Sequence, residues 1–247
     1  MLIKTDSFTL AAYSKGNPNS EKFALVLPGK LDTKDYAHMT SHVEYLSNKG
    51  YFALSFDPPG TWESPGDISL YNMTNYLKAV NELIKYYGNK PTFIMGHSRG
   101  ASMAILAGLR NPYISSFASI FSSLMVEGYK DKSDTALWRK QGYLLEKRDL
   151  PPGGGPKVKE FKLPYSFFED QLKYNVTKDL QHSTKPKFFM LGKNDVLATP
   201  EVVKELYDIA SQPKELYELD SGHDYRLHSE LIEKVNKVVG DFLRRHN

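Results

Sequence analysis

Phe93-Ile94-Met95-Gly96-His97-Ser98-Arg99-Gly100-Ala101 decides how the rest of the chain reads. The apolar residues ending at Met95 have the character of a buried strand. Residues 101–110 continue as a helix of small and apolar side chains. Between them stands a Gly-x-Ser-x-Gly run. At a strand-to-helix turn this run holds its serine in a strained backbone conformation and lifts the hydroxyl above the sheet. Glycine is needed on either side because side chains there would collide with neighbouring backbone. The helix N-terminus behind the serine offers amide hydrogens to an oxyanion. Ser98 is therefore the candidate nucleophile.

Working outward, the same alternation recurs. Residues 2–5 and 8–13 suit a strand pair turning near Asp6-Ser7, and residues 23–27 form an apolar strand followed by helical spacing over 36–49. A second apolar strand covers 51–56. Residues 70–87 then place Leu77, Val80, Leu83 and Ile84 on one helix face. Further buried strands are expected over 117–121, 187–191 and 216–219, with a closing helix over about 231–244. Short apolar strands between amphipathic helices predict an α/β chain with a mostly parallel sheet covered on both faces. Residues 122–185 break the rhythm. They hold Trp138, Tyr143, the breaker Pro151-Pro152-Gly153-Gly154-Gly155-Pro156, and the aromatics Phe161, Tyr165, Phe167 and Phe168. Long connections inside compact domains are usually functional, so this one is expected to be a cap, with a mobile loop at 151–156.

At 247 residues the chain can bury roughly three-quarters of its unfolded surface without metals or cross-links. It contains no cysteine, which excludes disulfides, thiolate metal sites and cysteine nucleophiles together. The net charge is +3 and the basic residues are scattered, which argues against a nucleic-acid or membrane-surface partner. Arg244-Arg245-His246 suits a helix C-terminus. Residues 1–8 lack the apolar core of a secretory signal, and no apolar run reaches the roughly 20 residues of a membrane span. A cytoplasmic location is the expectation, and the glycosylation patterns at Asn72 and Asn175 are read as chance.

With these residues in place, the sequence resembles the α/β-hydrolases over nearly its whole length. The resemblance implies a mostly parallel central sheet of about eight strands, flanked by helices, with a helical cap insertion. The core would comprise residues 1–121 and 186–247, and the cap 122–185. The family orders its partners serine, then acid, then histidine. Phe188-Phe189-Met190-Leu191-Gly192-Lys193-Asn194-Asp195 supplies a strand, a glycine and an aspartate, and Ser221-Gly222-His223 follows the next strand. Asp195 is thus the expected orienting acid, with Asp179 and Asp220 as alternatives, and His223 is the expected base in preference to His228. Pro28-Gly29-Lys30 stands where the family commonly carries His-Gly-x. The resemblance implies an oxyanion hole from the backbone N–H groups of Lys30 and Arg99, with Leu31 a nearby substitute. Asp57-Pro58-Pro59-Gly60-Thr61-Trp62-Glu63-Ser64 resembles the family's Asp-x-x-Gly-x-Gly-x-Ser turn, with Trp62 in place of the second glycine.

What the resemblance implies chemically is hydrolysis of small to medium, partly apolar carboxylic esters through a Ser98 acyl-enzyme. No cofactor and no metal are expected. Serine at position 98 argues against a haloalkane dehalogenase, which needs a carboxylate nucleophile. Leu31, Trp62, Trp138 and Tyr165 are candidate substrate contacts, and Lys30 or Arg99 a candidate anchor for a substrate carboxylate. Thioester or perhydrolase chemistry could run on the same three residues. Amide or peptide hydrolysis would need a carboxylate for a free amino terminus, from Glu127, Glu146, Glu160 or Glu169. A non-catalytic ligand-binding protein is the reading from another class, against which all three chemical residues stand. His97 is expected to turn back into the sheet. His38 and His42 have the i, i+4 spacing of a metal pair but lack a glutamate between them and a third ligand, so a helix surface is expected.

Overall fold

The computed structural model describes residues 1–122 and 135–246. Its centre is one eight-stranded sheet. In chain order the strands are β1 (Leu2–Lys4), β2 (Thr9–Lys15), β3 (Phe23–Leu27), β4 (Phe52–Phe56), β5 (Thr92–His97), β6 (Ile114–Ile120), β9 (Lys187–Gly192) and β10 (Lys214–Leu219). Across the sheet they run β1-β2-β4-β3-β5-β6-β9-β10. Only β1 and β2 pair antiparallel with their neighbours; β4 onward is parallel.

Every residue of β3, β4, β5 and β9 is buried, as a sheet covered on both faces requires. Helices α1 (Ala37–Ser47) and α8 (Ser229–His246) pack together, as do α2 (Met73–Tyr86) and α3 (Arg99–Arg110). α7 (Pro200–Ile209) packs against β9. Small residues on α3 let it lie close to the sheet: a side chain on Gly108 would strike the Phe117 ring.

Local chemistry moved several boundaries from those expected. The helix proposed from residue 70 begins at Met73, because Asn72 caps it by accepting from Asn75 N at 2.8 Å. Residues 68–70 instead form a short 3-10 turn capped by Asp67. α8 extends to both sides of 231–244.

The insertion between β6 and β9 is not purely helical. α4 (Thr135–Gln141) is followed by an antiparallel hairpin of β7 (Tyr143–Asp149) and β8 (Val158–Pro164), then α5 (Tyr165–Gln171) and α6 (Thr177–His182). β8 buries Phe161 and Leu163 at alternate positions, the period of a strand. The Pro-Gly run is the tip of this hairpin, and backbone and side-chain contacts hold it. Leu150 N donates to Lys157 O at 2.9 Å, and Ala37 N on α1 donates to Pro152 O at 3.1 Å. Gly154 N donates to the Asp149 carboxylate, which Arg226 grips with two nitrogens at 3.0 and 3.1 Å.

Candidate active site

β5 ends in the turn that carries Ser98, whose φ of +54° and ψ of −116° lie outside the usual range for a residue with a side chain. The two glycines make the turn possible. A Cβ on Gly96 would press on the backbone of Gly100, and one on Gly100 would press on the carbonyl of Leu27. The Ser98 amide donates to Ile120 O of β6 at 2.9 Å, so the strained residue is fixed to the sheet.

Two loops at the carboxyl ends of β9 and β10 bring partners to this hydroxyl. His223 Nε2 lies 2.8 Å from Ser98 Oγ, and His223 Nδ1 lies 2.7 Å from Asp195 Oδ2. Asp195 Oδ1 accepts from the amides of Leu197 and Ala198 at 2.8 and 2.9 Å. Burial opposes charge on Asp195, but the His223 ring and these amides outweigh it and hold the carboxyl below the usual aspartate range. An ionised Asp195 accepts the Nδ1 proton, which leaves the Nε2 lone pair facing the serine hydroxyl. The alternatives lie elsewhere: Asp179 pairs with Arg110 at 3.5 Å, and Asp220 accepts from Asn194. His228 is exposed and faces Glu230 at 3.7 Å.

His97 does turn inward, and it reaches the site from behind. Its Nε2 lies 3.0 Å from the carbonyl of His223, so this nitrogen is the donor. His42 and His38 correct the expectation of a helix surface, because both are fully buried on α1. The i, i+4 spacing fixed their shared face but not the direction in which it points. His42 spans Asn236 Oδ1 at 2.6 Å and Tyr225 Oη at 2.8 Å.

The loop after β3 runs beside the serine. Leu31 has φ +56°, and its amide donates to Tyr71 Oη at 3.1 Å, which removes it as an oxyanion donor. The Lys30 amide donates to no acceptor among the described residues. This loop is tied to the β4 turn by the buried Asp57 carboxylate, which accepts from Thr33 Oγ1, Lys34 N and Glu63 N. Trp62, standing for the second glycine, keeps the positive φ (+46°) that glycine would favour. Its Nε1 donates to Leu31 O at 2.8 Å, and its ring meets Tyr36 and Phe161 edge-on.

Both cationic side chains near the serine reach the cap. Lys30 Nζ pairs with Glu146 of β7 at 2.6 Å. Arg99 donates to Gln171 Oε1 of α5 at 2.7 Å and lies over the Phe167 ring. Trp138 and Tyr165 form an aromatic cluster with Phe167 and Phe168 inside the cap, and Phe167 stacks on Tyr71. Sequence reasoning had no signal for Tyr71, Gln171 or the Thr33 and Lys34 partners of Asp57, because each contact joins residues far apart in the chain. Glu127 lies outside the described residues.

The strand order, the strained serine at the end of β5 and the loops after β9 and β10 together define an α/β-hydrolase. Residues 25–148, half of the chain, match the family described as serine aminopeptidase, S33, and the chain belongs to that family. It is similar to the lysophosphatidylserine lipase ABHD12 of Danio rerio, with 26% identity over 211 residues. That match covers 83% of this chain and 51% of the relative, so the chain spans about half the relative's length. Among solved structures, GrgF from Penicillium sp. sh18 superposes with a TM-score of 0.80 at 16% identity, covering 100% of this chain and 97% of that one. Est1E from Butyrivibrio proteoclasticus, solved with ferulic acid bound, gives 0.76 at 19% identity, covering 100% and 98%. These two likenesses show the fold. No helix among the described residues is long and apolar enough to cross a membrane.

Proposed function

We propose that this chain hydrolyses carboxylic esters through an acyl-enzyme on Ser98, with His223 as base and Asp195 as its orienting acid. The observation that carries the reading is the unbroken chain of contacts from Ser98 Oγ through His223 to Asp195, at 2.8 and 2.7 Å. Neutral His223 takes the serine proton as Oγ attacks the ester carbonyl. The imidazolium so formed is stabilised by Asp195 and returns the proton to the departing alkoxide. Water then attacks the acyl group by the same route and regenerates the serine. The backbone N–H groups of Lys30 and Arg99 hold the oxyanion, each worth about 3 kcal/mol in the barrier.

Support for partly apolar substrates comes from the cap, where the Arg99 guanidinium lies over Phe167 and Trp138 stacks behind that ring. Amide hydrolysis at a free amino terminus is less well supported. Glu146 is already paired with Lys30, Glu160 with Lys147 at 2.9 Å, and Glu169 is exposed.

The test is fluorophosphonate labelling read by intact mass, together with hydrolysis of p-nitrophenyl esters from acetate to decanoate. Wild type should take one label, Ser98→Ala none, and the ester series should show a maximum that sizes the acyl site. Absence of both labelling and ester turnover in wild type would overturn the reading.

A further inference from the structure

Next to His223, buried polar atoms gather without partners. His38 Nδ1 and Nε2, His97 Nδ1 and Arg148 Nε all lack a hydrogen bond among the described residues. Buried polar groups are ordinarily paired, and several orphans in one place mark a missing water or ion. His97 Nε2 spends its proton on the His223 carbonyl, so a neutral His97 presents Nδ1 as a bare lone pair. That lone pair faces Asp32 Oδ2 at 3.8 Å, acceptor against acceptor. Whichever tautomer His38 adopts, one of its ring nitrogens is a lone pair too. Ligand atoms of Asp32, His38 and His97 all lie within 4.8 Å of one another, and all three side chains are buried. The cluster thus sets two imidazole lone pairs beside a carboxylate whose other oxygen is paired with Arg148.

Its surroundings suit a cation. Metal-bound histidines usually donate their other ring proton to a carbonyl or carboxylate, as His97 does here. Arg148 of β7 pairs with Asp32 Oδ1, which leaves Oδ2 for a cation and orients the carboxylate. Arg226, the other nearby guanidinium, is committed to Asp149 and Asp224. Tetrahedral zinc with bonds of about 2.0–2.1 Å sets its ligand atoms about 3.4 Å apart, so the 3.8 Å pair would close by about 0.4 Å on binding.

We propose that Asp32, His38 and His97 form a buried structural site for a divalent transition-metal cation, with zinc favoured by the ligand set. The ion would join the loop after β3, the first turn of α1 and the serine turn, and through the His97 proton it would steady the backbone of His223. It takes no part in the reaction.

The test is metal analysis of the tag-free chain purified without chelator, followed by cobalt(II) titration of the chelator-stripped protein. Wild type should carry about one equivalent of zinc, and His38→Gln at most about a tenth of that. The exposed His228→Gln should match wild type. Stripping should lower the thermal midpoint and zinc should restore it, and cobalt(II) should give a visible absorption band that the stripped protein lacks. Two results would overturn the proposal: a folded His38→Gln that retains the metal, or wild type that carries none and shows neither a cobalt band nor a zinc-dependent midpoint. In the second case the orphaned atoms belong to buried water. Should His38→Gln fail to fold, the cobalt spectrum of wild type decides by itself.

Discussion

At Tyr71 one hydroxyl holds the amide of Leu31, one residue past the Lys30 N–H assigned to the oxyanion. Leu31 is buried and sits at positive φ, so its amide has no water to turn to. Tyr71→Phe should therefore cost about 1–3 kcal/mol of stability, the penalty for an orphaned buried donor. It should also lower kcat more than it raises KM, because the Lys30 amide loses its fixed position. Chemical denaturation and steady-state kinetics on one ester check this, and unchanged values for both would remove Tyr71 from the account. Asp195→Asn should leave the fold intact and reduce turnover by about 10³–10⁴-fold, since the amide holds the wrong histidine tautomer. Full activity in that variant would move the acid elsewhere. Ser98, Asp195 and His223 were legible in the sequence because each sits in a local pattern of strand, glycine and turn. Tyr71 was not, because its partner is 40 residues away. His38 and His42 were misjudged because periodicity shows which residues share a face, while packing decides which face is covered.

The hairpin of β7 and β8 shows the same limit at the level of elements. Apolar runs such as Phe23–Leu27 and Lys187–Gly192 declare themselves as core strands, since a doubly covered sheet leaves no polar face. β7 reads Tyr-Leu-Leu-Glu-Lys-Arg-Asp, and nothing in that run alone distinguishes a strand from a charged helix. Its conformation follows from pairing with β8 and from side chains that dock on other elements. Glu146 reaches Lys30, Arg148 reaches Asp32, and Asp149 reaches Arg226. Asp149 is the strongest of these anchors, since it also accepts from Tyr36 Oη at 3.0 Å. Partial burial opposes its charge, but the Arg226 guanidinium, the Gly154 amide and Tyr36 hold its carboxyl well below the usual range. A depressed carboxyl stabilises the fold above its unfolded pKa of about 3.9 and loses that contribution as pH falls toward its folded value. Asp149→Asn should thus destabilise the chain by about 1–3 kcal/mol at pH 7 and expose the 151–156 tip to proteolysis. The gap from wild type should narrow below about pH 4. A gap that stayed constant down to pH 2.5 would show that the charge of Asp149 contributes nothing.

Across the whole molecule, acid response should be set by histidines rather than carboxylates. His38, His42 and His97 lie together between α1 and the serine turn, and burial lowers all three; His42 falls to about 4 and His97 to about 3. The rings around His42 are those of His38 and Tyr225, and its bonds run to Asn236 and Tyr225, so no carboxylate among the described residues pairs with it. In the unfolded chain a histidine takes up its proton near pH 6.5, so between that pH and the folded values the unfolded state binds more protons. Stability is complete above about pH 7 and falls as pH drops, by about 1.4 kcal/mol per unit for each such histidine. By pH 5 His42 would have cost about 2 kcal/mol, against a total stability of order 5–15 kcal/mol. Urea denaturation at pH 7 and pH 5 should therefore show a loss of about 2 kcal/mol from His42 in wild type. His42→Gln starts lower, because it disturbs the bonds to Asn236 and Tyr225, but it should lose about 2 kcal/mol less over the same interval. Equal losses in the two proteins would mean that His42 titrates alike folded and unfolded, and that the buried histidine layer does not govern how the hydrolase fold meets acid.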